Sequence, residues 1–138
     1  MTTQNNRNLA VIQEFRQNAG KIGGNFAGAP VLLLSTTGAK TGQKRTTPLM
    51  YLPDGDRYVI FASKGGAPEN PGWYHNLKAN PSVVLEVGTE SFPAEASITT
   101  GTERDQLYAR QAAKYPNFGE YQKRTTREIP VVVLKRKR

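Results

Sequence analysis

Three basic side chains and two glycines lie close together in the stretch STTGAKTGQKRTTP, residues 35–48. The glycines let successive backbone N–H groups face one concavity, which is a common way for a loop to bind an anion. Lys40, Lys44 and Arg45 add positive charge, and an arginine can hold a phosphate through two parallel hydrogen bonds. The stretch therefore predicts an anion-binding loop between two apolar runs, although taken alone it also fits a solvated basic hairpin.

The spacing does not match the common nucleotide-binding motifs. A P-loop needs glycine, four residues and then Gly-Lys-Ser/Thr, whereas Gly38 and Gly42 enclose three residues and Gln43 follows them. The dinucleotide pattern G-x-G-x-x-G is also absent. The stretch thus predicts an anionic ligand, but neither motif is present to indicate which ligand it is.

A second stretch of similar chemistry follows the third predicted strand. The stretch ASKGGAPENPGWYHNLKANP, residues 62–81, has Ser63, Lys64 and two glycines near its start. If the second and third strands pair, Lys64 lies near the first loop. Two strand ends rich in glycine and lysine can then hold an extended ligand that carries several charges.

The composition narrows the chemistry further. The chain has no cysteine and a single histidine, His75, which excludes thiolate sites, a His-rich metal site within one chain and a cysteine nucleophile. No catalytic triad or carboxylate pair is apparent, and no metal is predicted. A net charge of +8 and a pI near 9.9 favour nucleic acid, anionic lipid or an acidic cofactor as partner. The terminal KRKR, residues 135–138, is interpreted as a solvated tail.

Length and hydropathy predict one cytoplasmic domain, residues 1–138. The N-terminal MTTQNNRNLAVIQEF lacks the apolar segment of a signal peptide. No apolar run approaches the ~20 residues that span a bilayer. A chain of this length usually forms a single domain.

Apolar periodicity predicts the elements that position the two basic stretches. An amphipathic pattern favours a helix within residues 1–22, and the segment 20–30 breaks it. Asn70 is expected to cap a second helix, and Thr102 with Asp105 resembles a capping box for a third. The predicted strands are 30–36, 46–52, 57–63, 82–88, 91–99 and 129–135, and the other predicted helices are 71–79, 102–115 and 118–125.

Tight turns between most of these strands favour antiparallel pairing. One of them, PDGD, is a hairpin signal of the Asp-Gly type. We therefore expect an α+β fold, a closed or half-closed β-barrel of six or so mostly antiparallel strands with peripheral helices.

Three motifs carry a resemblance to a known family. They are T-G-x-K-T-G-x-x-R-x-x-P-L, then A-S-K-G-G-A-x-x-N-P-x-W-Y-x-N-L-K-A-N-P, then Y-P-x-F-x-x-Y-Q followed by R-x-I-P-V-V-V. They resemble the deazaflavin (F420)-dependent nitroreductase family over about residues 30–134. The resemblance implies a split β-barrel, binding of reduced coenzyme F420, and hydride transfer to a quinone, a nitroaromatic compound or an enone such as a coumarin lactone.

The implied cofactor agrees with the chemistry of the two stretches. Coenzyme F420 carries a phosphodiester and an oligoglutamate tail, so a basic, glycine-rich site suits it. Its ring is a hydride donor, so the protein needs no catalytic triad of its own. The protein has to hold the donor carbon ~3–3.5 Å from the acceptor and exclude water.

The resemblance also implies roles for individual residues. Ser63, Tyr115 and Tyr121 are the implied catalytic residues, and Tyr115, Phe118 and Tyr121 would form an aromatic lid over the acceptor. Lys64 would reach the phosphate, and Ser63 would face the ring or the acceptor. The implied cofactor-binding residues are Lys40, Thr41, Arg45, Pro48, Met50, Ala62, Ser63, Lys64, Gly65, Gly66 and Ala67, the last three through backbone N–H groups.

Two positions depart from the family pattern. Ala39 stands where some relatives have a basic residue, which removes one charge from the loop. Phe118 stands where a tyrosine can occur, which removes a hydroxyl group from the acceptor pocket, so reduction of bulky nitroimidazoles is in doubt. Trp73 belongs to the motif but is interpreted mainly as core, and His75 as a surface residue.

Alternatives to a reductase remain open on the sequence. The same fold could bind deazaflavin, flavin or haem-like ligands without turnover, or use FMN. A nucleic-acid binder is disfavoured, because aromatic residues do not alternate with basic ones along a strand. The first helix is expected to cover the barrel, with peripheral membrane association as the other option. A monomer and a homodimer both remain open.

Overall fold

One curved sheet and flanking helices make up the protein. The computed structural model describes residues 3–21 and 29–137. Across these residues the helices are α1 (Thr3–Gln17), α2 (Gly72–Ala79), α3 (Gly101–Lys114) and α4 (Asn117–Arg124), and one 3-10 turn spans Lys64–Gly66. The strands are β1 (Val31–Thr37), β2 (Lys44–Met50), β3 (Leu52–Asp54), β4 (Arg57–Phe61), β5 (Ser82–Val87), β6 (Glu90–Ile98) and β7 (Val131–Arg136).

The sheet curls because its two outer strands are consecutive in the chain. The strand order is β2-β1-β5-β6-β7-β4-β3, and every neighbouring pair is antiparallel. β2 and β3 lie at opposite edges of this order although only Tyr51 separates them. The sheet must therefore curl until the end of β2 lies beside the start of β3, and the predicted α+β half-closed barrel of mostly antiparallel strands is confirmed.

The second predicted strand, 46–52, is wrong in two respects. It is two strands, β2 and β3, which are divided at Tyr51; the N–H of Tyr51 donates to the carbonyl of Pro30 at 3.1 Å, at the end of the β1–β2 ladder. It also does not pair with the third predicted strand along its length, since within the described residues β2 pairs only with β1 and the short β3 pairs with β4. The Asp-Gly hairpin is confirmed between β3 and β4.

The basic loop is shorter than the sequence suggested. β1 continues to Thr37 and β2 begins at Lys44, and these two residues are partners in the ladder. The loop therefore comprises residues 38–43, and Arg45 projects from a strand. A side chain on a paired strand has a better-defined position than one in a loop, which matters for ligand binding.

The predicted caps of the helices are also wrong. Thr102 already lies inside α3, and the residue at the N-cap position is Thr100. Pro71 precedes the first turn of α2, and the side chain of Asn70 instead accepts a hydrogen bond from Arg127. The predicted break at 20–30 lies mostly outside the described residues, while α1 itself ends at Gln17.

The core lies on both faces of the sheet. One cluster is built from β1, β4, β5, β6, β7 and α2, and a second lies under α3 and α4. β1 is buried along nearly its whole length, because β2 and β5 flank it and α1 and α2 cover it. This explains why its sequence is a continuous apolar run rather than an alternating one.

Helix α1 covers one part of the barrel. Ile12 and Phe15 are buried against β1. Arg16 donates two hydrogen bonds of 2.8 and 2.9 Å to the carboxylate of Glu86, and they hold the pKa of Glu86 below its usual value. These contacts support the interpretation of α1 as structural cover. None of the helices in the described part of the chain is long and apolar enough to cross a bilayer.

Up to residue 137, the basic C-terminal residues do not form the solvated tail that the sequence suggested. Arg136 belongs to β7, pairs with Glu90 at 3.2 Å and lies over the ring of Phe92. Lys137 pairs with Glu95 at 3.5 Å. Because acidic neighbours partly neutralise these charges, they contribute less to polyanion binding than their number implies.

Gln111 is expected to limit the stability of the protein. Its side chain is completely buried in α3, and neither amide atom has a hydrogen-bond partner within the described residues. A buried unsatisfied amide costs free energy, so Gln111→Leu should raise the free energy of unfolding by about 1–2 kcal/mol. Thermal unfolding would show a Tm increase of about 3–6 °C.

A half-buried glutamine, Gln122, provides the control. The amide of Gln122 binds Arg104, Arg127 and Ile129, so Gln122→Leu should lower the Tm. A lower Tm for Gln111→Leu would contradict the prediction, because it would mean that a buried partner such as an internal water satisfies this amide.

Candidate functional site

A cavity of about 890 Å³ runs along the free edge of β2 and is called the main cavity here. Consecutive residues Thr47–Met50 line it, although successive side chains of a strand point to opposite faces. A cavity beside the strand edge explains this, and Pro48 fits an edge because no partner strand needs its missing N–H. The lining residues are Asn8, Arg45, Thr47, Pro48, Leu49, Met50, Phe61, Ser63, Lys64, Pro71, Gly72, Trp73, Asn76, Asn117, Phe118 and Tyr121.

A second cavity of about 560 Å³, the side cavity, continues from the main one and shares Arg45, Gly72 and Asn76 with it. It lies between the loop 38–43 and helix α2. The remaining lining residues are Gly38, Ala39, Lys40, Thr41 and His75.

Asn76 ties the basic loop to helix α2. Its side-chain oxygen accepts a hydrogen bond from the N–H of Ala39 at 3.0 Å, and its amide nitrogen donates to the hydroxyl of Thr36 at 3.3 Å. Within the loop, the N–H of Gly38 donates to the carbonyl of Gln43 at 2.7 Å. These bonds hold the loop beside the cavities. The sequence motif alone did not predict these bonds.

Three cations, Lys40, Arg45 and Lys64, are predicted to bind the cofactor, and two of them are free to bind a ligand. Lys40 and Arg45 are exposed and form no ion pair with any described residue. Lys64 lines the main cavity, but its ammonium group lies 3.0 Å from the carboxylate of Glu69. The hydrogen bond from Lys64 lowers the pKa of Glu69, so this carboxylate stays ionised at neutral pH.

The segment that follows β4 is held from behind by Arg127. The guanidinium donates to the carbonyls of Ala62, Ser63 and Ala67 at 3.2, 3.0 and 3.0 Å. It also donates to the side-chain oxygen of Asn70 at 2.6 Å. Burial lowers the pKa of Arg127, since removal from water disfavours the charged guanidinium.

The 3-10 turn packs tightly against helix α4 through Gly66. Its φ of +85° lies in the left-handed region, and a Cβ atom at this position would lie 2.8 Å from the carbonyl oxygen of Tyr121. The N–H groups of Gly66 and Ala67 donate to the carbonyls of Ser63 and Lys64 within the turn. Two of the three N–H groups predicted to bind the cofactor are therefore already used.

Aromatic residues form the other end of the main cavity. The rings of Phe118 and Tyr121 are 5.2 Å apart, and Phe61 contacts Phe118 at 5.8 Å. The hydroxyl of Tyr108 donates to the carbonyl of Phe118 at 2.5 Å and so anchors α4. The side-chain amide of Asn117 donates to the hydroxyl of Tyr121 at 2.8 Å, which leaves the proton of this hydroxyl available for a ligand.

The structure brings most predicted site residues to these cavities. Lys40, Thr41 and Arg45 line the side cavity, and Arg45, Pro48, Met50, Ser63, Lys64, Phe118 and Tyr121 line the main one. Tyr115, Ala62, Gly66 and Ala67 are not among the lining residues, and Gly65 lies within the 3-10 turn. Trp73 is buried, as predicted, but it also lines the cavity.

Several contributors were missed at the sequence level. Thr47, Leu49 and Phe61 could have been found from strand alternation once the edge position of β2 was known. Asn8 comes from α1, and no short-range pattern connects it with the site. Arg127 is part of the third motif, but its spacing of about sixty residues from the segment that it binds concealed its role.

A half-barrel with a cavity that is basic at one end and aromatic at the other defines a cofactor-binding split barrel. Comparison with known proteins agrees. The chain is 52% identical over 127 residues to an F420H(2)-dependent quinone reductase of Mycobacterium tuberculosis, covering 89% of this chain and 85% of that protein. The solved structure of an F420-H2 dependent reductase is 42% identical with a TM-score of 0.71, covering 77% of this chain and 94% of the other. A third relative, described as a domain-swapped dimer, is 35% identical with a TM-score of 0.73, covering 97% and 100%.

The sequence of the chain matches the F420H(2)-dependent quinone reductase family over residues 8–136, and the chain belongs to this family. The protein is therefore an F420H2-dependent oxidoreductase with coenzyme F420 as its cofactor. The F420-dependent resemblance that the three motifs indicated is confirmed. The residues present fit the coenzyme, because Arg45, which has no ion-pair partner among the described residues, and the rings of Phe118 and Tyr121 line the same main cavity, while Lys40 lines the adjoining side cavity.

Proposed function

We propose that this protein binds reduced coenzyme F420 along the edge of β2 and passes a hydride to a quinone held against α4. The observation that carries the proposal is the two-ended main cavity. It joins the cationic side cavity, through Arg45, to the aromatic surface of Phe118 and Tyr121. The coenzyme has matching chemistry, since its polyanionic tail is attached to a flat ring.

The proposed roles of the residues follow from position along the cavity. Lys40 and Arg45 hold the phosphate and the acidic tail, and Asn76 keeps their loop in place. Met50 and Ser63, on opposite walls, contact the ring. When bound, the reduced ring supplies the hydride. The protein orients this ring against the acceptor and keeps water out of the contact.

The acceptor is proposed to lie on α4. Phe118 and Tyr121 offer an aromatic surface suited to a flat quinone. A quinone oxygen gains negative charge when its ring receives a hydride, and a positioned hydroxyl donor stabilises that charge. Tyr121 can donate this hydrogen bond, because Asn117 already occupies a lone pair of its oxygen.

Loss of the hydroxyl of Tyr121 should slow quinone reduction. We expect Tyr121→Phe to lower kcat/KM for menadione by about tenfold, which is the usual effect of one hydrogen bond to a developing charge. Coenzyme affinity should be unchanged. Steady-state kinetics with reduced F420 and menadione would measure both parameters.

Tyr115→Phe is the matched control. Tyr115 lies outside the cavity lining, so its hydroxyl should be dispensable and activity should change less than twofold. An equal loss of activity in both variants would contradict the specific assignment of Tyr121. It would instead support the role that the family resemblance implies for Tyr115 as a second catalytic residue.

Anaerobic oxidation of reduced coenzyme tests the proposed function directly. The purified protein should oxidise reduced F420 in the presence of menadione, with slower or no reaction for nitroaromatic compounds and enones. Tight binding of the coenzyme without oxidation by any acceptor would support the alternative, a non-catalytic deazaflavin-binding protein. A yellow protein with flavin absorbance would instead indicate FMN.

Assembly and location stay predictions. A homodimer is supported by the relative that is described as a domain-swapped dimer, and light scattering of the purified protein would distinguish it from a monomer. Peripheral membrane association through α1 is the other prediction that stays open, and sedimentation with anionic vesicles would detect it.

A further inference from the structure

The segment after β4 contains two backbone N–H groups that have no hydrogen-bond partner in the described part of the chain. The N–H groups of Ser63 and Lys64 form no hydrogen bond with any described residue, and neither does the hydroxyl of Ser63. Both residues line the main cavity. Backbone N–H groups that lack a protein partner usually bind water or a ligand, so these two are candidates for ligand binding.

The direction of these donors depends on Arg127. In a trans peptide the carbonyl and the N–H of the same unit point in opposite directions. The carbonyls of Ala62 and Ser63 point to the guanidinium of Arg127, so the N–H groups of Ser63 and Lys64 point away from it. No cis peptide interrupts the described part of the chain, so this relation holds at both positions.

The backbone of the segment is also held in an uncommon conformation. Lys64 has a φ of +46°, in the left-handed region that residues other than glycine rarely adopt. Such a conformation persists where surrounding contacts determine it, and it is concentrated at functional sites. Here the contacts are the Arg127 bond to the carbonyl of Ser63 and the N–H of Ala67, which donates to the carbonyl of Lys64 at 3.1 Å.

We propose that Arg127 is a positioning residue that turns the carbonyls of Ala62 and Ser63 away from the cavity and so aims the N–H groups of Ser63 and Lys64 at an oxygen of the bound coenzyme. The inference rests on the proposed function for its ligand. Lysine cannot replace this arginine, because one ammonium group cannot reach three carbonyls and an amide oxygen in the geometry of a planar fork.

The first test is an NMR titration of the unchanged protein with oxidised coenzyme F420. The amide resonances of Ser63 and Lys64 should shift on binding, together with those of the basic loop at Lys40 and Thr41. Shifts at Lys40 and Thr41 without any shift at Ser63 and Lys64 would overturn the inference while leaving the proposed function intact. No binding at all would refute the proposed function, and the inference with it.

The second test uses Arg127→Lys. We expect coenzyme affinity to fall about tenfold, the usual effect of losing two weakly oriented hydrogen bonds. The binding-induced shifts of Ser63 and Lys64 should shrink, while those of Lys40 and Thr41 should persist. A general loss of structure would not produce this local difference. Unchanged affinity together with unchanged shifts would overturn the inference.

Arg57→Lys is the matched control. Arg57 is a half-buried arginine that binds Asp54 and Glu103 at the far end of β4. Its replacement should lower the Tm without changing coenzyme affinity. If Arg57→Lys weakens binding as much as Arg127→Lys does, the effect is one of stability and Arg127 has no positioning role.

Discussion

Coenzyme F420 is expected to bind about 50-fold more weakly when Arg45 is replaced by alanine, because a hydrogen bond to a charged group contributes about 1.5–3 kcal/mol. Arg45 lies on β2 rather than in the loop, lines both cavities and has no carboxylate partner among the described residues. Its guanidinium is therefore available for two parallel bonds to a phosphate. Fluorescence titration at low ionic strength would measure the loss.

The change should depend on salt, since Arg45 is exposed and its field is screened in solution. Raising the ionic strength should weaken coenzyme binding to the unchanged protein and reduce its difference from Arg45→Ala. Lys40→Ala is expected to act in the same direction with a smaller effect, because an ammonium group binds phosphate as a point charge.

Lys135→Ala provides a charge-matched control. Lys135 is exposed and lies opposite Arg57, at the end of the β4–β7 ladder that is farther from the cavity. The variant removes the same unit of charge and should change affinity less than twofold. An equal loss for Lys135→Ala would mean that net charge, rather than a specific contact of Arg45, attracts the coenzyme.

Gly66→Ala should destabilise the protein by about 2–4 kcal/mol, from the strain of a left-handed residue and the cost of overpacking. The added Cβ atom would lie 2.8 Å from the carbonyl oxygen of Tyr121 and 2.9 Å from the Cβ of Arg124. Backbone atoms cannot yield as a flexible side chain does, so α4 would have to move. Chemical denaturation would measure the lost stability, and quinone kinetics would report the displaced Tyr121.

Gly119→Ala is the control within the same helix. Apart from its chain neighbours and the backbone of its own helix, no atom of the described residues lies within 4 Å of a Cβ placed at Gly119, and its φ is not in the left-handed region. Alanine should raise stability there by about 0.5 kcal/mol, because it reduces the conformational entropy of the unfolded chain. A Gly66→Ala variant as stable and active as Gly119→Ala would contradict the close packing of the turn on α4.

The fold was largely predictable because its strands carry local signals. The apolar run of β1 and the Asp-Gly turn before β4 can be recognised within a few residues. The split at Tyr51 could not be recognised in this way, since it arises when one continuous extended segment has to pair with β1 at one end and β4 at the other. Such a division depends on the closure of the whole sheet.

The candidate site was predictable where residue type alone indicates chemistry. Arg45 and Lys40 were found from charge and neighbouring glycines, and Phe118 and Tyr121 from the family resemblance. Arg127 and Asn76 act through bonds to distant backbone groups, at separations of about sixty and about forty residues. Whether a side chain binds the ligand or supports the segment that does so depends on contacts that no local pattern encodes.

The single residue between β2 and β3 has a mechanical consequence. One wall of the cavity is β2, and the opposite wall begins where β4 ends; these two strands do not pair with each other. They are nevertheless joined by a short continuous path through Tyr51 and the β3–β4 hairpin. The pairing of β3 with β4, together with the one-residue link at Tyr51, therefore limits how far the walls can separate. An insertion beside Tyr51 should widen the space between these two walls, whereas an insertion in the 38–43 loop should leave that space unaltered.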